Sequence, residues 1–253
     1  MSAPLADRLR PKTLDDVVGQ PHLLQKGAVL RRIIESGTLP NLIFYGPSGV
    51  GKTTVARIIA AQANHRLWRI NGTNTSTAEI KQIIEESETL LGYNGILLYL
   101  DEIQYLNKKQ QQSLLEATET GRVTLIASTT ENPFFYVYNA ILSRSTVFEF
   151  KPVEKEAVEA AVARAFAFCA EEEGLEIQPE AGVVGEIATA CGGDVRKSIN
   201  AVELAVLATP AEDGKKSVSL ETAKAVSQKS NLRYDRDADQ HYDILSAYQK
   251  SIR

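Results

Sequence analysis

Eight residues carry the most specific chemistry in the chain. Gly46-Pro47-Ser48-Gly49-Val50-Gly51-Lys52-Thr53 fits the spacing G-x-x-x-x-G-K-[ST]. An apolar strand-like run, Asn41 to Tyr45, precedes it, and a helical pattern from Thr53 to Ala63 follows. In that context the glycines let backbone N–H groups curl round phosphate oxygens, and the helix N-terminus adds a favourable dipole. Lys52 is placed to reach the outer phosphates. The Thr53 hydroxyl is placed to ligate Mg²⁺, and Thr54 next to it in the first turn of the helix is a further nucleotide-binding candidate. About 50 residues on, Ile96-Leu97-Leu98-Tyr99-Leu100 runs into Asp101-Glu102. Asp101 ending a buried strand is the second Mg²⁺ candidate. Glu102 can orient and polarise a water for in-line attack. A phosphate donor, a metal and a carboxylate aimed at water favour ATP hydrolysis over transfer to a second substrate.

Weaker signals surround these two. Val123 to Ala127 is a strand ending in Ser128-Thr129-Thr130-Glu131-Asn132, and a polar residue there would sit between the phosphate loop and the Asp101 strand. Leu142-Ser143-Arg144-Ser145 offers an arginine before the last strand, and Gly193-Asp194-Val195-Arg196 offers another on a later helix. Gly72 to Thr77, a run of hydroxyls at a helix start followed by Lys81, is the candidate for a nucleic-acid phosphate. Lys108 and Lys109 are read as solvated. Phe134, Phe135, Tyr136 and Tyr138 could stack on bases, but are expected to pack the loop that positions Arg144. His22, His65 and His241 have no ligand spacing, and Cys169 and Cys191 read as core residues of a reducing compartment, so Mg²⁺ is the one metal expected. Trp68 reads as a core or subunit contact.

The elements that must position these groups are legible from periodicity. The chain has 253 residues, 43% hydrophobic and 24% charged, as in a soluble globular protein. Strand and helix signals alternate up to Phe150, the pattern of an α/β sandwich with a parallel sheet. Leu67 to Asn71, Gly95 to Leu100, Arg122 to Ser128 and Thr146 to Phe150 read as strands. Ala78 to Leu91 and Lys108 to Thr120 read as helices. After Lys151-Pro152 the β pattern ends. Helices are expected from Glu154 to Glu173, Glu180 to Ala190, Asp194 to about Ala208, and Ser219 to about Ser227, with Pro210 to Lys216 as a loop. Three parts follow: a nucleotide-binding α/β core at 1–151, a small all-helical domain at 152–230, and a segment at 231–253 that either continues into further structure or needs a partner; the resemblance given below makes the second part a lid and the third the start of a C-terminal helical oligomerisation domain. In the third part Tyr242, Leu245, Tyr248 and Ile252 form an apolar stripe that one helix cannot bury alone.

Charge is uneven. Residues 1–150 carry 15 Lys/Arg and 14 Asp/Glu, and residues 151–253 carry 13 and 18, which together give −4. A chain living mainly on phosphate-backbone contacts is usually basic. Nucleic-acid contact must therefore come from a local patch or from several copies. Neither a signal peptide nor an apolar run of membrane-spanning length is present, so the cytoplasm is the expected location, and the resemblance given below implies association with the nucleoid.

In combination these motifs resemble an AAA+ ATPase of the clamp-loader and RuvB-like clade. Leu9 to Gln20 is similar to the N-terminal box that lies beside the adenine in that clade, with Arg10, Pro11, Val18 and Gln20 as its contacts. Asp101 to Gln112, Thr129-Thr130-Glu131-Asn132-Pro133, and Tyr234 to Ser251 resemble, more narrowly, the replication-associated recombination protein A family, whose eukaryotic relative is the Werner-helicase-interacting ATPase. The resemblance implies a P-loop core with a three-layer sandwich and a helical lid. It implies Thr129 as sensor 1, Arg196 as sensor 2, Arg144 as a finger acting on a neighbour's ATP, and Asn71 as the polar residue that restrains Glu102. It implies DNA, at single-strand/double-strand junctions or ends, as ligand, with single-stranded-DNA-binding protein as partner. Full-length members form homotetramers through a domain of which only the first helix is present here, so assembly is expected to be weakened or lost. Ser145 replaces the cysteine of the clamp-loader finger motif Ser-Arg-Cys, which counts against an ordinary clamp-loader subunit. A Holliday-junction motor, a nucleotide-gated DNA-binding module with negligible hydrolysis, and a P-loop kinase are the competing readings.

Overall fold

The computed structural model describes residues 3–63, 65–87, 95–119, 121 and 123–227. The predicted helix around Tyr242 to Ile252 and the Tyr234 to Ser251 resemblance lie outside these residues, as do Leu91, Thr120 and Arg122. The elements in chain order are α1 (Leu5–Arg8), α2 (Pro21–Leu24), α3 (Val29–Glu35), β1 (Asn41–Tyr45), α4 (Lys52–Gln62), β2 (Arg66–Asn71), α5 (Thr77–Ser87), β3 (Ile96–Asp101), α6 (Lys108–Glu119), β4 (Val123–Thr129), α7 (Pro133–Tyr136), α8 (Asn139–Leu142), β5 (Ser145–Glu149), α9 (Lys155–Glu173), β6 (Glu176–Pro179), α10 (Val183–Ala190), α11 (Val195–Ala208) and β7 (Lys215–Val218). A last helix covers 220–227. The chain divides into two compact units, Arg10–Pro152 and a second made of the residues up to Leu9 with those from Val153 onward.

The first unit is built on a five-stranded sheet in the order β2-β3-β4-β1-β5, every neighbouring pair parallel. Parallel strands need crossovers and become covered on both faces, so their sequences read as continuous apolar runs. β3 obeys this: Ile96 to Leu100 are all buried. One side of the core gathers Ile43, Leu98, Leu100, Leu125, Ile80 and Leu114. Trp68 packs against this cluster at the edge strand, and its indole N–H donates to Glu86 (3.2 Å), which favours the core reading. The register sets Asn71 beside Asp101 and Tyr45 beside Thr129, so the tips of β1, β2, β3 and β4 end together. Ligands of open α/β sheets bind at that carboxyl edge.

The second unit is helical as expected, with an addition. α9 buries Val158, Ala161, Val162, Ala165, Phe166 and Cys169 on one face, and stops at Gly174 in the left-handed conformation (φ 63°). The Asp194 side chain accepts from Lys197 N–H at 2.8 Å and caps α11. Ser219 does the same for the 220–227 helix through Thr222 N–H at 3.1 Å. The addition is a parallel pair, β6 with β7, where the sequence reads as loop. Four-residue strands with Pro179 and two lysines carry too little apolar pattern to be seen in advance.

The placement of the N-terminus also differs from the expected 1–151 core. Leu5 is fully buried in the second unit. Its N–H donates to Glu203 (3.0 Å), and Arg8 pairs with Glu172 and Glu203 and lies over the Phe168 ring. A short segment with scattered apolar residues has no periodic pattern that announces such a docking.

Two outcomes are expected. Asp194→Ala removes the α11 cap and lowers unfolding stability by about 1 kcal/mol, read by denaturant titration. Cys169 and Cys191 are buried, and burial raises both thiols above their ordinary range. Labelling by a disulfide reagent at pH 8 is therefore expected to be slow in the native protein and fast in guanidinium.

Candidate functional site

The glycine loop leaves β1 under tight constraint. Gly46 donates its N–H to Thr129 O (3.2 Å) and has φ 143°. A Cβ there would stand 2.0 Å from Phe150 O, so no side chain fits. Gly49 and Gly51 also take positive φ, 69° and 103°. Gly51 then caps α4, whose first residues are Lys52 and Thr53. The buried Lys52 ammonium donates to Gly46 O and Pro47 O, both at 2.6 Å, so it lies inside the curl of its own loop.

The N-terminal box is fastened to that loop by Gln20. Its buried amide donates to Lys151 O (2.6 Å) and more weakly to Val50 O (3.4 Å), and accepts from Lys151 N–H (3.0 Å). Gln20 is itself left-handed (φ 58°), a conformation uncommon for a non-glycine residue and held here by those bonds. Val17 approaches Gly51, while Arg10, Pro11 and Val18 are half-buried in the same unit.

Asp101 and Thr53 converge. Tyr99, two residues before Asp101 and therefore on the same face of β3, is buried. Its hydroxyl lies 3.0 Å from Thr53 Oγ1, 2.8 Å from Ser128 Oγ and 3.2 Å from Asp101 Oδ1. Ser128 Oγ donates to Asp101 Oδ1 at 2.5 Å. Burial, reinforced by Asp101, pushes the Tyr99 phenol well above its ordinary range. A hydroxyl and a carboxylate one tyrosine oxygen apart form the all-oxygen donor set that a hard divalent cation takes. Tyr99 and Ser128 were not singled out as site residues by sequence. The signal available was period-two spacing from Asp101 for Tyr99, and the strand tip for Ser128.

Glu102 follows with φ 54° and ψ 53°. Its carboxylate accepts from Gln104 Nε2 (2.5 Å) and from Thr130 Oγ1 (3.4 Å). Asn71, the residue expected to restrain it, uses its amide oxygen in its own turn. Asn71 Oδ1 accepts from Thr73 N–H (2.9 Å) and Thr73 Oγ1 (2.7 Å), closing its own turn. Thr129, expected at the sensor position, is buried, and its hydroxyl accepts from Glu131 N–H (3.0 Å), so at this tip Thr130 is the threonine that faces Glu102. The side-chain choice between adjacent threonines depends on where β4 ends, which spacing leaves open by a residue.

The remaining candidates separate from this cluster. Arg144 is about half-exposed, donates to Ala140 O (3.1 Å) and pairs with Glu119 (3.1 Å). Arg196 stands exposed on the first turn of α11, in the other unit. In the Gly72 to Thr77 run, Thr73, Asn74 and Thr75 all donate their N–H groups to Asn71, and Ser76 Oγ takes Glu79 N–H, which is the pattern of an ordinary capped helix start. The aromatic loop is corrected. Phe134 (62% exposed), Phe135 (81%) and Tyr136 (51%) face solvent, and only Tyr138 packs on the core. The loop is positioned instead by the buried Gln111, which accepts from Tyr138 N–H (2.7 Å) and donates to Tyr136 O (3.2 Å). Lys81, Lys108 and Lys109 are exposed, Lys108 lying 5.6 Å from the Tyr138 ring centre. Among the described residues no helix is long and apolar enough to cross a membrane, and no group of three or more His, Cys, Asp or Glu could hold a metal ion.

Comparison with known proteins adds the following. Residues 42–153 match the family described as ATPase family associated with various cellular activities (AAA), and residues 172–253 match the AAA C-terminal domain. Replication-associated recombination protein A of Bacillus subtilis is 37% identical over 99% of this chain and 59% of its own length. The protein of the same name from Escherichia coli K12 is 35% identical over 99% and 57%. ATPase WRNIP1 of Dictyostelium discoideum is 31% identical over 99% and 31%. The chain thus spans from under a third to about three fifths of the length of these relatives. Among solved structures, the RuvB Holliday junction branch migration motor of Thermotoga maritima superposes with a TM-score of 0.68 at 23% identity, over 87% of this chain and 72% of that one, a likeness of fold.

Gly72 tests how tightly the β2 tip is held against this site. A Cβ on Gly72 would stand 2.2 Å from Glu102 O, and Gly72 N–H donates to Asp101 O (2.8 Å). Gly72→Ala is expected to cost about 1–3 kcal/mol by overpacking. Asn71→Ala is expected to loosen its turn by about 1 kcal/mol while leaving the Glu102–Gln104 pair in place. Chemical denaturation of both variants, with a crystal structure of the second, checks this.

Proposed function

The chain belongs to the AAA ATPase family, with replication-associated recombination protein A and WRNIP1 ATPases as its relatives, and on that premise we propose that it is a DNA-dependent ATP hydrolase of replication-fork maintenance, recombination and repair. The observation that carries the hydrolytic part is the adjacency of Asp101 and Glu102 at the tip of β3, next to a glycine loop that only glycine can form. Lys52 would leave the Gly46 and Pro47 carbonyls for the outer phosphates of ATP, a stronger acceptor than a neutral carbonyl. Thr53 and Asp101 would hold Mg²⁺, which neutralises phosphate charge when bound. Glu102 would exchange the Gln104 amide for a water and take its proton as attack proceeds. Gln20 ties the Arg10 to Val18 segment to the loop, which supports its role beside the base.

Arg144 would serve a second copy. It is half-exposed, and its bonds go to Ala140 and Glu119 rather than to Lys52, Asp101 or Glu102. Arg196 is assigned as the sensor from the helical unit. DNA at a single-strand/double-strand junction is the proposed effector, with single-stranded-DNA-binding protein as a partner and the cytoplasmic nucleoid as the place. Because the chain spans only part of its relatives, the tetramer they would form is proposed for the longer protein. A nucleotide-gated DNA-binding module is the second reading, favoured by the same exposed Arg144: without a neighbour the site lacks its finger.

Steady-state ATPase measured against protein concentration, with and without junction DNA, tests the proposal. Specific activity is expected to rise with concentration and with DNA. Glu102→Gln is expected to abolish turnover while keeping nucleotide binding, and Arg144→Ala to lower kcat by roughly 10³-fold or more where copies assemble. A flat, near-zero rate with intact ATP binding selects the binding module.

A further inference from the structure

The buried hydroxyls between Thr53 and Asp101 have a proton count that admits one arrangement. Asp101, as a carboxylate, only accepts. Ser128 Oγ lies 2.5 Å from Asp101 Oδ1, so the single Ser128 hydrogen goes there. The Tyr99 hydroxyl, 2.8 Å from Ser128 Oγ, therefore cannot receive that hydrogen and must donate its own, to Ser128 with a longer branch to Asp101 Oδ1 at 3.2 Å. With the Tyr99 hydrogen committed, the 3.0 Å contact to Thr53 is made by the Thr53 hydrogen. The chain runs one way: Thr53 O–H to Tyr99 O–H to Ser128 O–H to the Asp101 carboxylate.

We propose that Tyr99 and Ser128 are positioning residues for the divalent cation of the nucleotide site, fixing the Thr53 hydroxyl with its hydrogen turned inward and its lone pairs outward. The inference rests on the reading of Thr53 and Asp101 as the metal-binding pair. Its physical content is in three parts. A threonine hydroxyl at a helix start rotates freely and can turn its hydrogen toward a cation, which repels it; a buried acceptor at 3.0 Å removes that freedom. Tyr99 is 1% exposed and Ser128 fully buried, so the bond between them is shielded from solvent, and the bonds at either end, to Thr53 and Asp101, are partly shielded. Successive donors in one direction polarise each other, and negative charge at the Asp101 end strengthens every link. Neither residue need touch the metal or the phosphates. They act through the two side chains that do.

The test separates metal from nucleotide. Tyr99→Phe, Ser128→Ala and the double variant are compared with the unaltered chain for Mn²⁺ affinity in the presence of ADP, by electron paramagnetic resonance, and for ADP affinity in EDTA. Each single variant is expected to weaken Mn²⁺ binding by about tenfold, as loss of a group that orients a metal ligand does. The double variant is expected to add little, because either change breaks the same chain. ADP binding in EDTA is expected to stay within about twofold, since neither side chain is assigned a phosphate contact. Unchanged Mn²⁺ affinity in both singles overturns the proposal, as do fully additive losses, and so does a matching loss of ADP binding in EDTA, which marks a packing role. Failure of the unaltered chain to bind ADP with Mn²⁺ overturns the nucleotide-site reading itself, a distinct result.

Discussion

Everything chemical in the first unit depends on the register of β3. Its five buried residues, Ile96 to Leu100, are held between β2 and β4. Alternation then puts Tyr99 and Asp101 on one face and Leu98 and Leu100 on the other. A slip of one residue would bring leucines to Thr53 and send the carboxylate into the opposite layer. Both faces of β3 are covered, so a slip would leave these side chains buried but misfitted, with cavities and overpacking costing roughly 1–3 kcal/mol at each large residue. The metal-binding pair is thus located by hydrophobic burial, and its polar bonds only refine the position.

The tips that this register brings together are strained, and the strain is compensated locally. Glu102 and Gln20 both take left-handed backbone without being glycine. Each such residue costs about 1–2 kcal/mol. Gln20 recovers it through a two-way amide bond with Lys151. Glu102 has less support: one amide from Gln104, one long contact from Thr130, and the close β2 tip, where Gly72 leaves room for its carbonyl. A catalytic carboxylate on a sharp turn, held by one neutral donor, is firmly placed in its backbone yet free to change partner in its side chain. That division suits a group that must give up a bond before it can meet water.

What the sequence revealed followed the range of the interactions involved. The glycine loop, the Asp101-Glu102 pair, the Asp194 and Ser219 caps and the Gly174 stop are local signals, and each appears where spacing places it. Tertiary choices were invisible. Asn71 closes a turn with Thr73, whose N–H and hydroxyl both donate to its amide oxygen, a local choice that the spacing does not announce. Gln104, an ordinary polar residue after a strand, became the Glu102 partner through a single 3-10 turn at Ile103–Tyr105. The aromatic loop misled by composition, since Phe134 and Phe135 look like core, while a buried glutamine supplies the anchoring. The pair β6 with β7 and the docking of Leu5 are contacts between distant segments with little pattern of their own.

The state of Arg144 links the geometry to the proposed action between copies. Its ion pair with Glu119 joins two side chains each 48% exposed, a class of interaction worth about 0–1 kcal/mol in water. Its other bonds, to Ala140 O and a longer one to Ser143 Oγ, are exposed contacts to neutral oxygens. Replacing these by phosphate oxygens exchanges weak, hydrated partners for a charge-assisted, fork-shaped match. The residue is therefore oriented at rest and easily recruited. Lys52 starts from bonds that include two carbonyls of its own loop, neutral acceptors that a phosphate oxygen outmatches. The moves proposed for Lys52 and Arg144 are thus changes of side-chain partner, and neither asks the sheet to break a strand pairing.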